Sequence, residues 1–159
     1  SYYEKSANLE ESLSLNKTAE YYREGIHCQK DLQKAYFYYT KALNVPLKLQ
    51  NNYAKYNLAK YFYLNGCYEI EIEKNTKKAL SLLKDASNHN LLEAKIELLT
   101  YYTQNYFQNK DENTLTKINQ LLTEIENHPL YTTQIKKDIE TTIINIKQKE
   151  KVNRKLFQE

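Results

Sequence analysis

Tyr2-Tyr3-Glu4-Lys5-Ser6-Ala7-Asn8 returns as Tyr38-Tyr39-Thr40-Lys41-Ala42-Leu43-Asn44, and again as Leu82-Leu83-Lys84-Asp85-Ala86-Ser87-Asn88. Ser6 and Ala42 lie 36 residues apart, and Ala42 and Ala86 lie 44 apart. A helix-forming phrase recurring at that spacing marks stacked helical hairpins, because one hairpin alone cannot bury its apolar face. The expected fold is therefore all-α. It would be an α/α superhelical solenoid of about three helical hairpins with a C-terminal capping helix.

Composition agrees with that reading. The chain has 159 residues, enough for a single domain with its own core. Its 41% apolar content, arranged with helical periodicity, excludes a disordered chain despite a mean hydropathy of −0.81. Two Gly and two Pro leave too few turns for a β-sandwich or barrel. The sixteen Tyr, with no Trp and no Met, accompany abundant Asn, Lys and Ile, as an A/T-rich coding sequence would give. They are read as residues filling helix-packing positions.

Net charge is +3 and unevenly placed. Lys147, Lys149, Lys151, Arg154 and Lys155 against Glu150 give +4 over residues 147–155, leaving −1 for the remainder. A nearly neutral body offers no electrostatic footprint for nucleic acid, and the basic tail reads as a solvated helix end. No stretch approaches the roughly 20 apolar residues needed to span a bilayer, so no membrane insertion is expected. Cys28 and Cys67 have no metal spacing around them and read as free thiols.

Along the chain, residues 1–8 read as the end of a helix and 11–25 as the next, with Leu15, Ala19 and Tyr22 on one stripe. Gly25 ends it, since glycine adopts the left-handed geometry of a helix C-terminus without penalty. Asp31 caps segment 31–44, whose apolar face is Ala35, Tyr38, Tyr39 and Ala42, and Pro46 stops it. Segment 51–65 (Ala54, Leu58, Ala59, Phe62) ends at Gly66, and 75–88, with Asn75 as cap, carries Ala79, Leu82, Leu83 and Ala86. Then come 91–107 (Ala94, Leu98, Leu99, Tyr102) and 111–127 (Leu115, Ile118, Leu121, Leu122, Ile125). His128-Pro129 breaks the chain before 130–157, where Ile135, Ile139, Ile143 and Ile146 give a cap with one buried face. The organisation expected is 1–10 as the end of a preceding repeat, repeats at 11–47 and 48–90, a degenerate repeat at 91–128, and the capping helix with its basic tail at 129–159.

Ser14, Ala19, Tyr22 and Gly25, followed by Lys30-Asp31, Lys34-Ala35, Tyr39 and Lys41-Ala42, fall at the spacing of a known motif. Ala54, Leu58, Ala59, Phe62 and Gly66 repeat its first half, and Ala79, Leu83 and Ala86 its second. Ala94, Leu98 and Tyr102 begin it a third time before it degrades at Ile118 and Ile125. The pattern resembles the Sel-one-like repeat family, a relative of the tetratricopeptide repeats, over residues 1–127. His27 replaces the second loop glycine of that motif, and extra residues sit between Gly66 and Ala79 and near Pro46. The resemblance implies an α/α solenoid whose inner helices line a concave surface for a protein or peptide partner. It also implies a bacterial adaptor, assembly factor or host-interaction protein, in the cytoplasm or periplasm.

Catalytic chemistry is not visible. His27-Cys28 places two soft side chains side by side, but neighbours on one backbone rarely reach each other, and no third group orients them. His89 and His128 follow helix ends, where a cation complements the dipole, and lack partners at metal-binding spacing. No phosphate loop or hydrolase signature occurs. No catalytic residue, metal or cofactor is expected. Tyr21-Tyr22, Tyr61-Phe62 and Tyr101-Tyr102 recur every 40 residues and are read as core packing rather than a stacking ladder for single strands.

The partner surface is placed on inner-helix positions that avoid the packing stripe. These are Lys17, Glu20 and Arg23, then Asn57, Lys60 and Tyr63, then Glu97, Thr100 and Thr103. Their mixed charge suits a polar protein or peptide. Two roles fit: a non-enzymatic scaffold or adaptor, and an immunity protein that neutralises a cognate toxin by occluding it. Residues 1–8 match only the end of a repeat, so upstream residues, the partner or a second copy in a homodimer are expected to cover that end.

Overall fold

A computed structural model describes residues 2–46 and 51–156, with side chains described for 10–46, 51–145, 147, 148 and 151. The protein is all-α. Two compact units divide it, Ser1–Leu91 and Leu92–Glu159.

In the first unit, α1 (Tyr2–Glu24) packs against α2 (Leu32–Leu43), and α2 against α3 (Asn52–Leu58). A five-residue π-helical turn, Ala59–Tyr63, continues α3, and α4 (Thr76–Asn88) packs on both. Helix α1 is one unbroken rod where two helices were expected, because residues 9–13 hold no glycine or proline to interrupt it. The side chains of residues 2–9 lie outside the described residues, and so does the expectation of apolar surface at that end. Gly25 closes α1 at φ +72°, its N–H and that of Ile26 both donating to the Tyr21 carbonyl. His27, standing where the motif has glycine, is itself left-handed at φ +59°.

Side-chain caps start three of the helices. The Asp31 carboxylate accepts from the Lys34 N–H at 3.0 Å, and the Asn75 side chain accepts from that of Lys78 at 3.0 Å. The Asp111 carboxylate accepts from the Thr114 N–H at 3.0 Å and the Thr114 hydroxyl at 2.7 Å. The extra residues after Gly66 form a small loop, an isolated antiparallel bridge between Cys67 and Ile72 with Tyr68 exposed at its tip.

The core of this unit alternates small and large side chains. Ala19, Ala35, Ala42, Ala54, Ala59, Ala79 and Ala86 let the helices approach, while Tyr39, Leu58, Phe62 and Leu83 fill the space between them. Tyr39 is fully buried and its hydroxyl has no hydrogen-bond partner. Burial pushes its phenol from the ordinary 10.0 to about 12. A raised folded-state value means that its contribution is complete below pH 10 and lost as the pH climbs towards 12. Tyr39→Phe should remove that part of the alkaline loss. At pH 7 it should be neutral or stabilising by about 1 kcal/mol, since it deletes an unsatisfied buried hydroxyl. Urea denaturation of both proteins at pH 7 and pH 11 checks this; a loss above about 1 kcal/mol at pH 7 would mean that the hydroxyl is bonded.

In the second unit, α5 (Leu92–Asn109) packs against α6 (Glu112–Glu126) and α7 (Thr133–Leu156). Ala94, Leu98, Leu99, Tyr102, Ile118, Leu121 and Ile125 are buried. Helix α7 closes this unit against α5, and its apolar face is shallow. Ile135, Ile139 and Ile143 are only half-buried, no described residue of α7 is fully buried, and Ile146 lies outside the described side chains.

One ion pair recurs. Lys55 of α3 bonds Asp85 of α4, and 40 residues on Lys95 of α5 bonds Glu124 of α6 at 2.8 Å, each lysine crossing its own hairpin. The hydrogen bond from Lys95 outweighs desolvation and holds the Glu124 carboxyl below its ordinary 4.5. A lowered folded-state value makes this contribution complete above pH 4.5 and lost as the pH falls through the folded-state value. Glu124→Gln should therefore melt lower at pH 7, by up to about 1 kcal/mol for a partly exposed pair. The gap should narrow below pH 4.5; an unchanged gap at pH 3 would show that charge is not its source.

Candidate functional site

The nine expected surface positions divide by their order in each helix. Lys17 is exposed, Glu20, Arg23, Asn57, Lys60, Glu97 and Thr100 are half-buried, and Tyr63 and Thr103, third in their helices, are buried. Helical geometry explains this, since each step of three residues falls about 60° short of a full turn. Two steps carry the third position into the packing stripe. Tyr63 is 7% exposed, its hydroxyl 2.8 Å from that of Tyr36, and Thr103 is 3% exposed, its hydroxyl donating to the Leu99 carbonyl. These two side chains pack the interior and do not face a partner.

In the first unit the structure brings Arg23 and Lys60 together on a residue that the sequence reading assigned to packing. The Arg23 guanidinium lies 3.6 Å from the Tyr61 ring centroid, and the Lys60 ammonium lies 5.3 Å from it. Lys60 also donates to the Tyr56 hydroxyl at 3.1 Å. Arg23 comes from α1 and Tyr61 from the π turn, so the cluster joins two helices. The wider π turn carries Lys60 and Tyr61, with the Leu64 N–H reaching back to the Ala59 carbonyl. Such turns are frequent at functional sites. Sequence periodicity drawn at 3.6 residues per turn cannot register one.

Arg23 is held firmly, its side chain only 12% exposed and its Nη2 donating to Glu24 at 3.2 Å. Burial works against its charge, and the phenols of Tyr61 and Tyr39 with the Glu24 carboxylate more than offset it. One turn earlier Lys17 pairs with Glu20 at 3.0 Å, which holds the Lys17 ammonium above its ordinary 10.5. Tyr61 is 37% exposed, Tyr53 is exposed, and the Asn57 side chain donates to the Tyr53 carbonyl at 2.8 Å. The surface is thus cations set on aromatic faces, which attract carboxylates and aromatic rings.

The second unit treats the equivalent face differently. Thr100 and Thr103 of α5 look towards α7, and with it they line a pocket of about 130 Å³. Two of the three positions expected to meet a partner there face the chain's own last helix.

The remaining candidates are placed as follows. The Cys28 thiol is exposed and its sulfur lies 3.5 Å from the Tyr21 carbonyl, while His27 packs edge-on against Tyr21. Burial pushes the Cys67 thiol up, the opposite of what a nucleophile needs. His89 caps α4, its Nδ1 2.8 Å from the Asp85 carbonyl. His128 instead accepts the Leu130 N–H on Nδ1 at 3.1 Å, so that nitrogen serves the following turn. Among the described residues no three His, Cys, Asp or Glu side chains group as metal ligands, and no helix is long and apolar enough to cross a membrane. Of the paired aromatics, Phe62 and Tyr102 are buried, and Tyr22 stacks on Tyr38 with ring planes 1° apart.

No family model, curated protein or solved structure matches this chain.

Proposed function

We propose that the protein is a non-enzymatic helical-repeat scaffold of the Sel-one-like type that holds an acidic peptide segment of a partner protein. The observation that carries this reading is the Arg23–Tyr61–Lys60 cluster. Two cations from separate helices share one half-exposed ring, which is an anchor of the kind that dominates binding energy at interfaces. Lys17, paired with Glu20, sets a further cation over the Tyr21 ring on α1, and Tyr53 adds another exposed aromatic face. Arg23 is fixed by its neighbours before binding, so little conformational freedom is lost when a carboxylate arrives.

A display library of random peptides, selected on the whole protein, tests this. Selected sequences should be rich in Asp and Glu. Tyr61→Ala should weaken them at least tenfold, about 1.4 kcal/mol, and Lys60→Ala should weaken them and flatten their salt dependence. Peptides without acidic enrichment, or acidic peptides indifferent to both substitutions, would sink the proposal. Tyr63→Phe is the control, because a buried side chain should not alter peptide selection.

A further inference from the structure

We propose that the pocket between α5 and α7 is a binding site for a compact organic ammonium ion, an apolar body about the size of a benzene ring carrying a cationic head. The pocket holds about 130 Å³, close to the volume at which an apolar cavity accepts benzene. Its walls are the branched chains of Ile96, Leu99, Ile135, Ile139 and Ile143. Such walls offer water few of the two to four partners it needs.

The polar groups decide the charge of the ligand. Three threonines line the pocket, and each hydroxyl proton is already engaged by its own helix. Thr100 donates to the Ile96 carbonyl at 3.0 Å, Thr103 to Leu99 at 2.7 Å, and Thr142 to Asp138 at 2.9 Å. What remains towards the pocket is acceptor only: threonine lone pairs and the Asp138 carboxylate. Asp138 interrupts the apolar stripe of α7 between Ile135 and Ile139. Its Oδ1 accepts from Gln134 at 2.8 Å, and among the described residues no lysine or arginine pairs with it. A site without donors rejects an anion. An apolar cleft with an unpaired carboxylate at its edge attracts an apolar cation.

The test is a titration of the whole 159-residue protein followed by backbone amide NMR. The probes are benzylammonium, benzyl alcohol and benzoate, one shape in three charge states. Benzylammonium should give saturable shifts at Thr100, Thr103 and Thr142. It should bind about fivefold more tightly than the alcohol, which is what a partly exposed ion pair contributes, and benzoate should not bind. Asp138→Asn should abolish the preference for the cation while leaving the alcohol's affinity unchanged. Thr142→Leu should fill the cleft and abolish both. Equal binding of benzoate, a cation preference surviving Asp138→Asn, or no saturable shift with any probe would overturn the assignment. Asp138 is exposed, so its amide variant will fold and keep the test decisive.

Discussion

Phe62→Ala should cost the first unit about 3–5 kcal/mol, the usual range for emptying a buried phenylalanine site. The side chain has no exposure at all. Its ring meets Tyr36 edge-on at 5.3 Å and Tyr39 at 6.2 Å, so it joins the π turn to α2. The neighbours cannot collapse into the void easily. Tyr36 is tied to Tyr63 by their hydroxyls at 2.8 Å, and Ala35, Ala42 and Ala59 are too small to reach across. Set against a typical domain stability of about 5–15 kcal/mol, this loss removes about a fifth or more. Phe62→Leu keeps most of the volume and should cost less than about 1.5 kcal/mol. Urea denaturation of the three proteins measures the difference. A loss under about 1 kcal/mol for the alanine variant would mean that Phe62 is not the centre of this core.

The helices were legible because their signals are local. Asp31, Asn75 and Gly25 act at helix ends through their own neighbours, and the Ala, Leu and Tyr stripes follow a fixed period. Three features escaped for physical reasons. The π turn at Ala59–Tyr63 shifts side chains by one extra residue per turn, which no pattern drawn at 3.6 can register. Tyr61 is expected to pack because the repeat motif that the sequence resembles packs that position between helices, whereas its surroundings here depend on cations brought from α1 and from the residue before it. Lys95 was passed over because lysine is seldom buried, and only Glu124 on the next helix makes its burial tolerable. The surface positions were legible in part. Their spacing placed Lys17 outward, but the same spacing drifts inward by Tyr63 and Thr103. On α5, the covering of Thr100 depends on where α7 docks, a contact between residues far apart in the chain.

Gly66→Ala should destabilise the protein by about 2–4 kcal/mol, against about 1 kcal/mol for Gly25→Ala. Both glycines are left-handed, at φ +78° and +72°, so alanine meets the same backbone penalty at each. Their surroundings differ. A β-carbon on Gly25 would lie 3.4 Å from the nearest atoms of Lys30, close to ordinary contact. A β-carbon on Gly66 would lie 2.9 Å from the Lys74 backbone nitrogen and 3.0 Å from the Ile72 carbonyl oxygen. These are main-chain atoms and cannot swing aside as a side chain would. Moving them also pulls on the Ile72 pairing with Cys67 and on Asn75, whose N–H bonds the Tyr63 carbonyl at 2.8 Å and whose side chain caps α4. The loss at Gly66 therefore combines strain, overpacking and a weakened cap, while Gly25 carries strain alone. Side-by-side urea denaturation reads the gap. Equal losses at the two sites would show that residues 72–74 yield freely and that the loop does not anchor α4.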